Sequence, residues 1–544
     1  MIEDHDHKDH DHRATWWQRG VIYQIYPRSF QDSNGDGVGD LAGILARLDY
    51  LQWLGVDAVW ISPVYPSPMA DFGYDVSDYC NIDPLFGTMA DFDALADAIH
   101  ARSLKLIMDL VPNHTSDRHP WFNESRASRE NPKRDWYVWR DAKRDGAPPN
   151  NWLSEFGGPA WTWDAHTQQY YYHAYLSAQP DLNWRNPDVR AAFDGILKFW
   201  FDRGVDGFRI DTVQHLFEDE SLRDNPPNPD WRPGDAPTAA LSRLYTTDRP
   251  ELWPVLKHWR QLADIYQDRV LISEAYVPVD KLAPYYGDRG DAVHLPFNFH
   301  LIGCDWSAGP LADLIARYER MLPPHGWPNW VLGNHDRARI ASRVGPAQAA
   351  NAAMLLLTLR GTPTMYYGDE LGMTNVAIPP DQVRDPWEKN VAGYGLGRDP
   401  VRTPMAWDTS ANAGFSPGLP WLPVHADWKT RNVDAQRSDP ASLLNLTRAL
   451  LALRRRESAL SIGGYDGIWA AGPVLCYVRQ SGARRILVCL NLADRAAHVA
   501  LPGRAIESVL LTTDGPPPFQ PNSVSVPAIS LSPNQGIVAL LKDA

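Results

Sequence analysis

The sequence has little cysteine and no long hydrophobic run. Its four cysteines, Cys80, Cys304, Cys476 and Cys489, lie far apart and form no CxxC pair. This spacing excludes a zinc knuckle or a thioredoxin-like motif and predicts reduced, mostly buried thiols. Because no stretch of about 18 apolar residues occurs, we expect no transmembrane helix. The first residues lack the apolar core of a signal peptide, which favours a cytoplasmic location.

Positive charge is not in excess either. The 544 residues include 66 acidic and 52 basic side chains, so the formal net charge is −14. An acidic chain does not attract nucleic acid through its overall field, and we expect neither a nucleic-acid nor a membrane partner. Residues 1–15 are polar and hold His5, His7, His10 and His12. We expect them to form a disordered tail.

From Trp16 onward, short apolar runs alternate with amphipathic helical stretches. Continuous apolar runs are typical of parallel strands that are buried on both faces. Eight of them with intervening helices predict an α/β fold, a (β/α)8 TIM barrel. The predicted strands are Val21–Tyr26, Ala58–Ser62, Leu104–Leu110, Gly207–Ile210, Val270–Ser273, Ala292–His294, Trp330–Leu332 and Pro363–Tyr366. The predicted helices include Leu41–Leu54, Asp91–Ser103, Pro187–Arg203, Glu251–Tyr266 and Gln348–Leu359.

Two long excursions interrupt this rhythm, and the pattern changes near the C-terminus. The segment after the third strand is too long for a loop, which predicts an inserted domain. After about Ser461, short alternating segments separated by turn residues predict an antiparallel β-domain. The expected division is a barrel over 16–110 and 184–460, an inserted domain over 111–183, an excursion after strand eight over 368–431, and a C-terminal β-domain over 461–544.

Two further patterns have structural interpretations. The aromatic clusters at 136–141 and 170–175 are expected to form the core of the inserted domain. The charged run at 454–457, RRRE, is expected to be a solvated helix face.

Polar residues follow four of the predicted strands. In a barrel of this type the active site lies at the carboxyl ends of the strands. A charge after an apolar run is costly unless it is paired or used in chemistry. Four strands that end in this way around one rim therefore predict an active site. These residues are Asp109, Asn113 and His114 after strand three, Arg209 and Asp211 at strand four, Glu274 after strand five, and His335 and Asp336 after strand seven.

Asp211 and Glu274 follow neighbouring strands and should face each other. Two carboxylates about 5 Å apart support double displacement at a sugar acetal. Arg209 lies two residues before Asp211, so both side chains point the same way and the cation favours an ionised Asp211. Glu274 has no adjacent cation in the sequence and is the better candidate for the protonated acid. Asp336 is a third carboxylate, suited to accepting hydrogen bonds from sugar hydroxyls.

The order of these motifs resembles that of a known family. DLVPNHTS (109–116), GFRIDTVQH (207–215), ISEAY (272–276) and VLGNHD (331–336) are similar to the four signature regions of the α-amylase family of glycoside hydrolases. QPDLNW (179–184) resembles a fifth region, in the form found in oligo-1,6-glucosidases and α-glucosidases. The resemblance implies that Asp211 is the nucleophile, Glu274 the general acid/base and Asp336 the transition-state stabiliser.

The resemblance also implies a substrate-binding set. His114, Arg209 and His335 match sugar-contacting positions, and Asp71 and Tyr74 in DFGYD (71–75) match residues that hold the terminal glucose. GRDPVRTPMAWD (397–408) is similar to the segment whose arginine closes that subsite; Arg398 is favoured and Arg402 is second. Members with these segments attack chain ends, which implies an exo-acting, retaining α-glucosidase. Thr212 follows the nucleophile where similar enzymes that cleave α-1,6 bonds carry Val, so we expect maltose-type α-1,4 substrates.

Several alternatives remain open from the sequence. A covalent glucosyl-enzyme can pass glucose to an acceptor alcohol or sugar instead of water, so a glucosyltransferase would share every residue named above. An oligo-1,6-glucosidase is a further alternative, and trehalose-forming enzymes are a remote one. Similar sucrose isomerases carry an arginine-rich loop after strand seven, which is absent here. A non-catalytic transporter partner would have lost carboxylates that this chain retains. The expected partners are a small α-glucoside and an acceptor, with the oligomeric state open.

One loop resembles a cation site. DSNGDGVGD (32–40) places oxygen atoms at alternate positions, as in the first nine positions of an EF-hand loop, with Gly37 at the sharp turn. The glutamate expected at position twelve is missing, because Gly43 stands there. Similar α-glucosidases bind Ca²⁺ or Mg²⁺ at this loop, which implies a structural ion; the alternative is a plain Asn-Gly turn. The candidate ligands are Asp32, Asn34, Asp36, the Val38 carbonyl and Asp40.

Overall fold

A computed structural model of the chain describes residues 14–515 and 528–542. The histidine-bearing part of the expected N-terminal tail lies outside these residues. The strands are β1 Ile22–Ile25, β2 Ala58–Ile61, β3 Lys105–Leu110, β4 Trp139–Arg140, β5 Trp161–Asp164, β6 Gln169–Tyr172, β7 Gly207–Ile210, β8 Val270–Ser273, β9 Leu295–Asn298, β10 Asn329–Val331, β11 Thr362–Tyr366, β12 Gly464–Ala471, β13 Val474–Ser481, β14 Arg484–Asn491, β15 Ala497–Ala500, β16 Ile506–Thr512, β17 Ala528–Leu531 and β18 Gly536–Leu541.

Helices connect and cover these strands. They are α1 Trp16–Arg19, α2 Pro27–Phe30, α3 Leu41–Ala46, α4 Leu48–Leu54, α5 Met89–Ala101, α6 Pro120–Ala127, α7 Pro187–Asp202, α8 Leu252–Asp264, α9 His300–Gly303, α10 Ala308–Met321, α11 Ile340–Val344, α12 Ala349–Thr358, α13 Pro386–Asn390, α14 Val433–Ser438, α15 Leu443–Arg456 and α16 Ser458–Ser461. Within residues 14–515 and 528–542, none of them is long and apolar enough to cross a membrane.

Eight parallel strands close into a barrel in the order β1-β11-β10-β9-β8-β7-β3-β2. All four residues of β1, β2, β7 and β8 are buried, as expected for strands covered on both faces. The predicted (β/α)8 barrel is therefore confirmed. The register places Asp109 of β3 beside Arg209 of β7, and Ile210 of β7 beside Ser273 of β8. Asp211 and Glu274 therefore follow directly after paired neighbours.

Two predicted elements differ from the observed ones. The sixth barrel strand is Leu295–Asn298, not 292–294, and it contains Pro296. Proline is rare inside central strands, which is why the sequence pattern placed the strand before it. The predicted helix over 41–54 is two helices, because the chain bends at Arg47, whose N–H bonds back to the Ile44 carbonyl.

The segment between β3 and β7 forms a small sheet in the order β4-β6-β5. Trp152, Trp161 and Tyr172 pack together there, with the Trp152 and Trp161 rings stacked 5.9 Å apart. Aromatic residues thus supply a core that so short a sheet could not otherwise build. This segment also lies over the carboxyl ends of the barrel strands, where it contributes side chains to the cavity described below.

The C-terminal residues form an antiparallel sheet in the order β12-β13-β14-β18-β16, with β15 and β17 paired beside it. This confirms the predicted C-terminal β-domain. Cys476 and Cys489 are directly opposed on β13 and β14, buried and unbridged, with their sulfurs 3.3 Å apart. Cys80 and Cys304 are half-buried.

Two buried arginines lie where this sheet meets the barrel. Arg454 was expected on a solvated face, but that expectation is wrong: its side chain is 1% exposed. It donates to the carbonyls of Leu359 at 3.2 Å and Leu460 at 3.0 Å, which replace water around the guanidinium. Arg479 of β13 likewise donates to the Thr358 carbonyl at 2.6 Å. Arg455 and Arg456 are exposed as expected, but Glu457, the last residue of the run, is buried and accepts from Arg484 at 2.9 Å.

Candidate active site

One buried arginine organises the floor of the site. Arg209 Nη1 donates to Asp109 Oδ1 at 2.6 Å and to Asp211 Oδ1 at 2.7 Å, and its Nη2 contacts Glu274 Oε2. The side chain is 1% exposed. Because a planar guanidinium presents its donors in a fixed fork, it holds Asp211 and Glu274 on one side of the barrel mouth. The structure thus brings together the two carboxylates that the sequence placed opposite each other.

Thr212 adds two hydrogen bonds to this arrangement. Its hydroxyl donates to Asp211 Oδ2 at 3.1 Å and its backbone N–H donates to Glu274 Oε2 at 3.1 Å. The residue has φ 38° and ψ 40°, a left-handed conformation that is costly for a β-branched residue. This strained conformation occurs where the chain leaves β7. It directs the Thr212 hydroxyl and backbone N–H toward the two carboxylates.

Burial dominates the titration of the two carboxylates. It raises the pKa of Asp211 to about 7 and that of Glu274 to about 8, although Arg209 opposes both shifts. Asp109 shares Arg209, and burial raises its pKa to about 7. The sequence assigned the cation to Asp211 alone, but in the fold it contacts Glu274 as well. The raised pKa of Glu274 suits a group that must donate a proton.

Asp336 lies in the opposite electrostatic environment. Burial alone would raise its pKa, but His335, Arg398 and Arg402 together hold it well below the usual range. Arg402 Nη2 donates to Asp336 Oδ1 at 2.8 Å and Arg398 Nη1 at 3.3 Å. Burial lowers the pKa of His335, although the neighbouring Asp336 opposes that shift.

Arg398 closes one end of the site. Its Nη2 donates to Asp71 Oδ1 at 2.6 Å and to Asp385 Oδ1 at 2.7 Å, and the side chain is 6% exposed. The guanidinium lies 5.0 Å from the ring centre of Phe156 and 5.8 Å from that of Trp387. Side chains from four separate segments of the chain meet here. Asp385 was missed by the sequence analysis, because no pattern in its neighbourhood indicates its long-range partner.

Tyr74, His114 and His335 form the adjoining wall. The Tyr74 and His335 rings stack with centroids 5.3 Å apart and planes 5° from parallel. His114 Nε2 lies 3.1 Å from the Tyr74 carbonyl and 3.0 Å from Gln179 Nε2, and Gln179 donates to Asp71 at 3.2 Å. Burial lowers the pKa of His114 to about 3, so the ring is neutral. Gln179, the first residue of QPDLNW, therefore reaches the site from the inserted segment.

These side chains line a cavity of about 520 Å³ at the barrel mouth. Arg402 does not line it, because it lies behind Asp336 and is fully buried. The far side is narrowed by Glu155, which contacts Arg243 and lies 3.8 Å from His215. The predicted residues that line the cavity are Asp71, Tyr74, His114, Asp211, Thr212, Glu274, His335, Asp336 and Arg398, whereas Arg209 forms the floor beneath.

The 32–40 loop is folded through its own backbone. Asp32 accepts N–H groups from Gly35 at 2.7 Å and Gly37 at 2.8 Å, and Asp36 accepts from Val38 at 2.8 Å. Asp40 caps α3, accepting from the Gly43 N–H at 2.6 Å. The atoms of this loop that could coordinate a metal ion are all oxygens, which are the ligands that a hard cation prefers. In the part of the chain that the structure describes, however, no three acidic, histidine or cysteine side chains form a group that could hold a metal ion.

Comparisons with known proteins identify a family and several similar proteins. A family model described as the alpha amylase catalytic domain matches residues 24–463. A probable alpha-glucosidase of Rhizobium meliloti (strain 1021) is 43% identical over 90% of this chain and 92% of its own. An oligo-1,6-glucosidase of Parageobacillus thermoglucosidasius is 39% identical over 90% and 93%. The solved structure of the alpha-glucosyl transfer enzyme XgtA superposes with a TM-score of 0.91, at 42% identity over 97% of this chain and 100% of that one.

Proposed function

The chain belongs to the α-amylase family of glycoside hydrolases, and we propose that it is a retaining, exo-acting α-glucosidase. It releases or transfers the terminal glucose of short α-glucosides through a covalent bond to Asp211. The observation that carries the proposal is the bridging of Asp211 and Glu274 by one buried guanidinium at the floor of the cavity. Double displacement requires a nucleophile and an acid that flank the scissile bond, the first opposite the leaving oxygen and the second beside it.

The proposed reaction has two steps. Asp211 attacks the anomeric carbon while the bond to the leaving oxygen breaks, and Glu274 gives its proton to that oxygen. Water, or an acceptor alcohol, then attacks the same carbon, and Glu274 takes its proton as the bond to Asp211 breaks. The pKa of Glu274, raised by burial, supports its assignment as the proton donor. Asp336, held ionised by its arginines, stabilises positive charge that develops on the ring.

Exo action is supported by the closed end of the cavity. In the proposed binding mode the terminal glucose lies against Arg398, which lines the cavity and is paired with Asp71 and Asp385. The Arg398 guanidinium is buried and paired with two carboxylates. Moving it would leave those carboxylates buried without a cation. A terminal glucose fits against this wall, whereas an internal residue of a polymer does not.

The preference for α-1,4 bonds depends on Thr212. Its side chain lines the cavity beside both carboxylates, where its hydroxyl supports Asp211. Because Thr and Val have nearly the same shape, the hydroxyl is the main difference from enzymes that cleave α-1,6 bonds. Initial rates on maltose and isomaltose test the preference, and faster cleavage of isomaltose would contradict it.

The decisive experiment follows the anomer of the released glucose. Proton NMR during early cleavage of p-nitrophenyl α-glucoside, which releases a single glucose, should show α-glucose before mutarotation, because two inversions restore the configuration. Initial β-glucose would refute double displacement. The Asp211→Asn variant should lose nearly all turnover while its melting temperature stays close to that of the wild type. Retained turnover in this variant would exclude Asp211 as the nucleophile.

Transfer to an acceptor is the second candidate activity. It is favoured by the similarity to a structure whose title describes an alpha-glucosyl transfer enzyme. Hydrolysis and transfer use the same residues here, so product analysis on maltose with and without a second alcohol separates them. Glucose alone in both reactions would exclude substantial transfer.

We further propose that the 32–40 loop holds a structural Ca²⁺ or Mg²⁺. Support comes from its oxygen donors and from the positive φ of Gly35 (87°) and Gly37 (90°), which bend the loop around one centre. Asp32, Asn34, Asp36, the Val38 carbonyl and Asp40 would hold the ion. When bound, the ion would cross-link the loop and take no part in the reaction.

A further inference from the structure

A groove adjoins the catalytic cavity and differs from it in having few polar side chains in its lining. Its volume is about 640 Å³ and its lining is mainly apolar. It lies on the rim of the barrel, between the segments that follow β8 and β9. The residues that line only this groove include Phe299, Ile302, Gly303, Cys304 and Leu314. We call it the rim groove.

The rim groove and the catalytic cavity share part of their walls. Tyr276, Val277, Pro278 and Arg337 line both. Tyr276 follows Glu274 by two residues, so the partition begins next to the acid. A molecule whose hydroxyl enters the cavity beside Glu274 can therefore lay its remaining part over this partition and into the groove.

The partition is aromatic and fixed. The Tyr276 ring stacks on Phe299 with centroids 4.4 Å apart and planes 10° from parallel, and Arg337 lies 4.6 Å from the Tyr276 ring centre. Tyr276 is nevertheless 39% exposed, so part of this large side chain is available for contact. Exposed aromatic surface beside a reactive centre favours the binding of flat apolar groups.

From this shared, partly exposed aromatic wall we propose that the rim groove is an acceptor subsite for apolar alcohols, above all aryl alcohols. The proposal rests on the proposed glucosyl transfer. The alcohol oxygen attacks the anomeric carbon of the glucosyl-enzyme, the bond to Asp211 breaks, and the hydroxyl proton passes to Glu274. The ring of the alcohol meanwhile packs along Tyr276 toward Ile302 and Leu314.

Gly303 offers a way to fill the groove without touching the catalytic machinery. A Cβ built there meets no atom within 4 Å, and the residue is exposed at the end of α9. The Gly303→Leu variant therefore places an apolar side chain where the acceptor ring would lie. Gly195→Leu is a matched control, because Gly195 is also exposed, helical and free of neighbours within 4 Å, but lies on α7.

The experiment measures products from maltose with benzyl alcohol or with glycerol as acceptor. In Gly303→Leu we expect benzyl glucoside formation to fall by about ten-fold, the value of one lost apolar ring contact, with maltose cleavage and transfer to glycerol unchanged. Gly195→Leu should behave as the wild type. Leu314→Ser, which removes apolar surface instead of filling the groove, should lower the same product and provides a second test.

Each outcome is decisive. An unchanged ratio of benzyl glucoside to glyceryl glucoside in both groove variants would overturn the proposal. A change in molecular mass by light scattering, with that ratio unchanged, would show that the groove is covered by a second copy instead and would also overturn it. Failure of the wild type to cleave maltose would refute the proposed function itself, which is a different result.

Discussion

Replacing Arg209 by lysine would test the central feature of the site. A lysine ammonium keeps the charge but cannot span Asp211 and Glu274 as the guanidinium does. At least one charge-assisted hydrogen bond, worth about 1.5–3 kcal/mol, is therefore lost from a buried carboxylate. If that bond contributes to the transition state, kcat/KM for maltose should fall by roughly 10- to 150-fold.

The pH profile should move in a direction that the contacts fix. The Arg209 cation lowers the pKa of both carboxylates, so weakening its contacts raises both. Asp211 must be ionised and Glu274 protonated, so the acid limb and the alkaline limb of kcat/KM should both move to higher pH. One pKa unit corresponds to about 1.4 kcal/mol. The loss of about 1.5–3 kcal/mol should therefore shift each limb by roughly one to two pH units.

The assay measures kcat/KM for maltose from about pH 5 to about pH 9. The wild type and each variant are compared at the same concentration of folded protein. Arg102→Lys is the control, because Arg102 pairs with an exposed Asp49 on the surface and should leave both limbs in place. Wild-type activity in Arg209→Lys, with neither limb moved, would refute the reasoning.

Three further predictions concern other parts of the chain. Thr212→Val removes the hydroxyl that lowers the pKa of Asp211, and should change the ratio of isomaltose to maltose cleavage by up to about ten-fold in favour of isomaltose; an unchanged ratio would exclude Thr212 as a determinant. Arg398→Lys should raise KM for maltose more than Arg402→Lys does, because only Arg398 lines the cavity, and steady-state kinetics showing the reverse order would contradict this. EDTA should lower the melting temperature by a few degrees, and added Ca²⁺ should restore it in the wild type but not in Asp32→Asn; identical melting curves with and without EDTA would remove the proposed ion.

Much of the barrel was predictable because its strands are short, apolar and buried on both faces. The exception, β9, contains Pro296 and pairs with β8 through only two residues, Leu295 and Pro296. Its position is set by closure of the barrel, a property of all eight strands together. No local pattern contains that information.

The site was predictable where its residues follow strands and less so where they come from loops. Asp211 and Glu274 could be paired because their strands are neighbours. The contact of Arg209 with Glu274, and that of Asp385 with Arg398, depend on tertiary packing of distant segments. Arg454 was misinterpreted for a related reason: charged runs are usually solvated, but it shares a helix face with Leu450, a spacing of four that could have indicated burial.

The arginines between barrel and C-terminal sheet have a consequence for cooperativity. Arg479 donates from β13 to the Thr358 carbonyl at the end of α12, while Arg454 donates to the Leu359 and Leu460 carbonyls, which both precede the sheet in the chain. Separating the two parts would remove the Thr358 carbonyl from the buried Arg479 guanidinium and the Thr358 hydroxyl from Tyr477. Heat or denaturant should therefore melt the sheet and the catalytic barrel in one transition, and a shortened chain lacking the sheet would be a poor host for the chemistry although every reacting group lies elsewhere.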